Sequence, residues 1–194
     1  MNRPASLPTQ PSLAVQIEIE DEGWHYWPKV APTIERATGQ VSDYLTEHRL
    51  LPLDTGQSLQ PSLTLVLGSD MGIQQLNLGW RGIDRPTNVL SFPALEAEVF
   101  AEGALRNNLP NFFDGHCGDI YLARETIERE AQDQNKEFAH HLHHLTIHAI
   151  LHIFGFDHQE PSEATRMERV EIELLHQSGI ANPYELPPLT TSES

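Results

Sequence analysis

Three histidines in the C-terminal part of this chain are spaced as metal ligands: His148, His152 and His158, in the run HAILHIFGFDH. Histidines at i and i+4 stand one turn apart on the same face of a helix, so two imidazoles can reach one ion. Gly155 can end that helix, because glycine tolerates the left-handed conformation of a C-cap. The chain then reverses, and His158 returns to supply a third nitrogen. Three imidazoles suit zinc and leave an open position for water, as in a catalytic site rather than a closed structural one. One zinc ion per chain is therefore the expected cofactor, although nickel or another divalent ion also fits three imidazoles. With 11 His and 12 Gly in 194 residues, the pattern H-x3-H-x2-G-x2-H arises by chance in roughly one such chain in several hundred.

The same spacing occurs in metzincin peptidases, where a glutamate general base follows the first histidine. Here that position is Ala149, so the usual peptidase mechanism lacks its base. No G-x-S-x-G elbow is present, and the single cysteine, Cys117, has no motif around it. A three-histidine ion can still activate water and polarise a phosphoryl oxygen. Phosphodiester cleavage also needs cations for the charge that builds on the nonbridging oxygens, and arginine's planar fork suits phosphate. Arg81 and Arg85, in WRGIDRPTNVLSFP, are the candidates. Asp157 either orients a ligating imidazole or caps the turn after Gly155. His144 is a second candidate for a supporting role, and His116 a candidate fourth ligand if the ion is structural.

These side chains need elements to hold them. On a helix at 100° per residue, five of the six histidines from His140 to His152 share an arc of about 120°. Most of the remaining circumference is apolar, which predicts a helix over 137–154 buried nearly all round and open along one polar stripe. Helices are also predicted near 28–48, 70–78, 124–135 and 162–177, and Gly79-Trp80-Arg81-Gly82 is expected to be a turn. Strands are predicted at 15–20, 62–67, 89–92 and 118–122. The order predicts an α+β fold, with a small mixed sheet of about four strands, about five helices, and a metal cleft formed by the histidine helix. Residues 13–185 are expected to form one domain, with a long loop at 94–117. The Pro/Ser/Thr-rich ends, 1–12 and 186–194, are expected to be frayed.

Three blocks of this sequence resemble the YbeY endoribonucleases. HAILHIFGFDH, from His148, is similar to the family signature H-G-x-L-H-L-x-G-Y-D-H; Ala149, Ile153 and Phe156 depart from it without removing a ligand. RGIDRPTNVLSFP, from Arg81 to Pro93, resembles a second block, and Gly118-Asp119-Ile120 a third. Met167-Glu168 and the ending Asn182-Pro183-Tyr184 extend the likeness, which runs from about Val15 to Tyr184. The resemblance implies a zinc-dependent, single-strand-specific endoribonuclease. Its expected role is ribosomal RNA maturation, notably at the small-subunit 3′ end, and ribosome quality control. It implies metal binding by His148, His152 and His158, and a phosphate-facing Arg81. A peptidase-like hydrolase and a noncatalytic, metal-stabilised ribosome-assembly factor are the alternatives.

Bulk composition restricts the partners. Twelve Lys+Arg against 28 Asp+Glu give a formal net charge of −16, so the summed field repels nucleic acid and excludes a nonspecific RNA-coating protein. Single-stranded rRNA is the expected substrate, with the ribosome or a ribosomal protein supplying most of the binding; DNA is not expected. No apolar run is long enough to span a bilayer, no signal peptide is legible, and one cysteine allows no intrachain disulfide. These features predict a cytoplasmic protein without a membrane partner.

Overall fold

The computed structural model describes residues 12–51, 60–96, 99 and 113–185. The expected frayed ends, Ser12 apart, and most of the expected loop at 94–117 lie outside these residues. In chain order the elements are β1 (Ala14–Ile19), a 3-10 turn (Glu22–Tyr26), α1 (Val30–Glu47), β2 (Ser62–Gly68), α2 (Asp70–Arg81) and β3 (Val89–Pro93). They continue with β4 (His116–Ala123), α3 (Arg124–Asp133), α4 (Phe138–Ile153) and α5 (Pro161–Gln177). This is the α+β architecture expected from the sequence. No helix among the described residues is long and apolar enough to cross a membrane.

The sheet is mixed, with strand order β1-β2-β4-β3. β1, β2 and β4 run parallel, and β3 lies antiparallel to β4 at the edge. Alternation along β2 sends Leu63, Leu65 and Leu67 into the main core, as a half-buried pleated strand requires. On that side α1 contributes the stripe Val30, Ile34, Ala37, Val41 and Leu45 at helical spacing. α4 packs against α1, α5, β3 and β4; it is the central helix, which explains why its sequence is apolar nearly all round. The opposite face of the sheet carries a smaller cluster of Ile73, Leu90, Tyr121 and Ala123 under α2.

Two departures from the sequence reading matter for function. α2 does not stop at Leu78 but continues through Gly79 to Arg81, and Gly82 caps it with φ of 69°. Arg81 therefore belongs to a helix end, where the carbonyl dipoles favour a cation, and not to a free turn. β4 begins at His116, two residues before Gly118, because pairing with β2 already starts at His116 opposite Ser62. The end of the expected 94–117 loop is thus strand.

Candidate metal centre

The end of α4 builds the site. Phe156 N–H donates to the Leu151 carbonyl at 3.1 Å and Gly155 N–H to that of His152 at 3.1 Å. With Gly155 at φ of 80°, this is a Schellman closure, which satisfies the last carbonyls and turns the chain back. The reversal carries His158 toward His148 and His152. One nitrogen from each ring lies within 4.8 Å of the others, with ring centroids 4.6, 5.0 and 5.6 Å apart.

The donor set fits a zinc ion. His148 Nδ1 hydrogen-bonds Glu171 Oε1 at 2.8 Å, which places its proton on Nδ1 and frees the Nε2 lone pair. That Nε2 lies 3.1 Å from His152 Nε2, close to the separation of about 3.3 Å that two tetrahedral ligands at a zinc–nitrogen distance of about 2.0–2.1 Å require. Burial, with the neighbouring His148 and His158, pushes the His152 imidazole down to about 4. The ring is neutral at pH 7, the form that can ligate.

Glu171 is the residue that sequence reasoning missed. It comes from α5, is fully buried, and also accepts from His144 Nε2 at 3.0 Å and from the Tyr184 hydroxyl. Burial alone would raise its carboxyl, but the hydrogen bonds and charge of His144 and His148 outweigh that and hold it at about 2. A signal was present: Glu171 falls on the buried stripe of α5, among Met167, Val170, Leu174 and Leu175. A carboxylate on an apolar stripe requires a buried partner. A second such pair stands nearer the start of α4, one turn before His144, where His141 Nε2 meets Glu130 Oε2 at 2.8 Å. The same oxygen accepts from Asn88 Nδ2 at 2.9 Å, fixing Asn88 beside the site.

The triad forms one end of a cleft of about 720 Å³. Its other walls include Arg81, Thr87, Asn88 and Ser91. Arg81 is exposed and pairs with no carboxylate among the described residues, so its guanidinium is free for a ligand. Arg85, the other candidate, is exposed and does not line this cleft. Asp157 lines it, but its Oδ1 accepts from the His158 backbone N–H at 2.7 Å. That hydrogen bond is to the turn, while Glu171 is the carboxylate that meets the His148 ring. His116 pairs with Asp119 at 3.2 Å and does not join the triad. Cys117 is fully buried, and burial pushes its thiol up to about 12, which leaves it inert as a nucleophile.

The family profile described as "Endoribonuclease YbeY" matches residues 28–179. A Rhizobium etli protein named Endoribonuclease YbeY is 41% identical over 173 residues, covering 89% of this chain and 94% of its own. A Sinorhizobium medicae protein of the same name is 37% identical over 179 residues, covering 92% and 99%. The solution structure of TM1509 from Thermotoga maritima aligns with 89% of this chain and 99% of its own, at 22% identity and a TM-score of 0.45.

Proposed function

This chain belongs to the YbeY endoribonuclease family, and we propose that it cleaves single-stranded ribosomal RNA through one zinc ion held by His148, His152 and His158. The observation that carries the reading is the convergence of three imidazole nitrogens within 4.8 Å in a cleft that also holds the free guanidinium of Arg81. A zinc ion bound there would supply a Lewis acid and make hydroxide available near neutral pH.

The chain's own residues do the rest. Glu171 holds the His148 ring and its tautomer. Arg81 grips the nonbridging oxygens of the scissile phosphate and offsets the charge that grows on them. The cleft, lined by β3 residues and by the histidine turn, accepts an unpaired strand. The net charge of −16 makes a ribosomal partner the source of most long-range attraction, in keeping with roles in small-subunit rRNA 3′-end maturation and ribosome quality control. The peptidase reading loses further ground: Ala149, where a peptidase carries its glutamate, is fully buried and is not among the residues that line the cleft.

The test is cleavage of single-stranded ribosomal RNA by zinc-loaded wild type, His152→Ala and Arg81→Ala, with metal content measured alongside. His152→Ala is expected to lose zinc and cleavage together. Arg81→Ala is expected to keep zinc and lose about 10²–10³ in rate, the usual cost of deleting one donor to a developing anion. Stoichiometric zinc with no cleavage of any RNA by the wild type would favour the assembly-factor or the other-hydrolase alternative.

A further inference from the structure

Trp80 is 74% exposed, an unusual position for the largest apolar side chain. It follows Ile73 and Asn77, the buried residues of α2, near the C-terminal end of that helix, next to the cleft-lining Arg81 but not itself in the cleft's lining. There its ring rests on Phe92, with centroids 5.6 Å apart and planes inclined at 55°. One side of the indole is thus supported. The helix end is open beside it: a Cβ built on Gly79 or on Gly82 would meet nothing within 4 Å. The next residue is Arg81, the cation on the cleft wall. Phe92 is likewise flanked by Ser91 and Pro93, which line the cleft from the other face of the same strand.

We infer that Trp80 is a stacking platform for an unpaired nucleobase of the RNA strand whose phosphate Arg81 holds; this rests on the endoribonuclease reading above. An aromatic face exposed beside a phosphate-binding cation is how proteins hold single strands without reading sequence. The charge balance gives such an uncharged contact particular value. The field of a chain of net charge −16 opposes the approach of RNA, whereas base stacking carries no net charge to be repelled. Stacking also selects against duplex, whose bases are already stacked and present no free face. Trp80 is therefore a positioning residue, and it contributes to single-strand preference.

The experiment uses zinc-loaded protein and a short single-stranded oligoadenylate carrying one 2-aminopurine, mixed rapidly so that quenching is read before cleavage. Trp80→Ala and Trp80→Leu are compared with Trp80→Phe; leucine keeps an apolar contact with Phe92 but removes the aromatic face. Loss of one stacked base is expected to raise KM about tenfold and abolish the fast quench. It should leave kcat within about twofold, because the contact is equal in ground and transition states. Trp80→Phe should retain most of both, and the dependence of binding on salt should stay as in wild type. Melting temperatures of Trp80→Leu and Trp80→Phe should stay close to wild type, since the ring is mostly exposed and both keep an apolar contact with Phe92. Wild-type KM and quenching in both Trp80→Ala and Trp80→Leu would overturn the inference while leaving the proposed function standing. A zinc-loaded wild type that neither quenches the probe nor cleaves RNA would overturn the proposed function, and this inference with it.

Discussion

Glu171 Oε1 lies 2.8 Å from His148 Nδ1, a contact made from α5 across to α4 by a carboxylate with no exposure to solvent. It ties the C-terminal helix to the candidate metal centre. It also gives His148 the one tautomer whose Nε2 can face an ion.

Glu171→Gln keeps the side-chain volume and removes the charge that three donors share. Zinc affinity is expected to fall about 10–100-fold, the usual effect of losing a group that orients a ligand. Competition with a chromophoric chelator measures it. Unchanged affinity would show that packing alone orients the His148 ring.

Removing the metal should not unfold the protein. His148 and His152 are half-buried and His158 is exposed, whereas the main core joins β2, α1, α4 and α5 through aliphatic contacts. Chelator-treated protein is expected to keep its far-ultraviolet circular dichroism and melt cooperatively at a lower temperature, while cleavage disappears. Collapse of the helical signal on chelation would identify a structural ion instead.

Gly118 opens the wall of the cleft to a simple test. Its φ is 154°, and a Cβ there would sit 2.6 Å from the Phe92 carbonyl oxygen and 2.8 Å from Ile153 Cδ1. Gly118→Ala must push β3 from β4 or displace α4, both of which build the cleft. A loss of about 2–4 kcal/mol in denaturant unfolding is expected, together with reduced cleavage. A variant as stable as wild type would mean that the edge strand yields freely.

His143 makes stability depend on pH. Its ring is buried between α4 and α1, with Nε2 2.7 Å from Gln40 Oε1. Burial, with Arg36, His140 and His144 nearby, pushes the imidazole down from 6.5 to about 4. Between these values the unfolded chain binds the proton that the folded one refuses, so stability falls as pH drops through this window and is fully present above it. The loss is roughly 1–3 kcal/mol by pH 4. Denaturant melts of wild type and His143→Gln at pH 7, 5.5 and 4 should show a shallower decline in the variant. Parallel declines would assign the pH dependence to other groups.

The spacing of His148, Gly155 and His158 and the periodicity of α1 and α4 were legible because they are local. A turn of helix and a glycine C-cap are defined over a few residues, and hydrophobic patterning repeats along one element. The end of α2 was misread for a related reason: Gly79 weakens a helix by only about 1 kcal/mol relative to alanine, and packing of Ile73 and Leu76 against the sheet outweighs that. Asp157 was ambiguous since a carboxylate beside a turn suits both the backbone and a ring, and only the fold shows that the backbone N–H of His158 takes it.

By itself the sequence determined the identity of three candidate ligands, the helix that carries two of them, and the α+β order of elements. Tertiary structure decided which carboxylate supports them. Glu171 is 23 residues from His148, and nothing in local spacing ties the two. Tertiary structure also decided that the edge strand β3 and the end of α2 stand beside the histidine turn, bringing Arg81 to the same cleft from 67 residues before His148. Contacts over such separations follow from how buried faces of the sheet and helices pack together. That is a property of the whole core, and no short segment contains it.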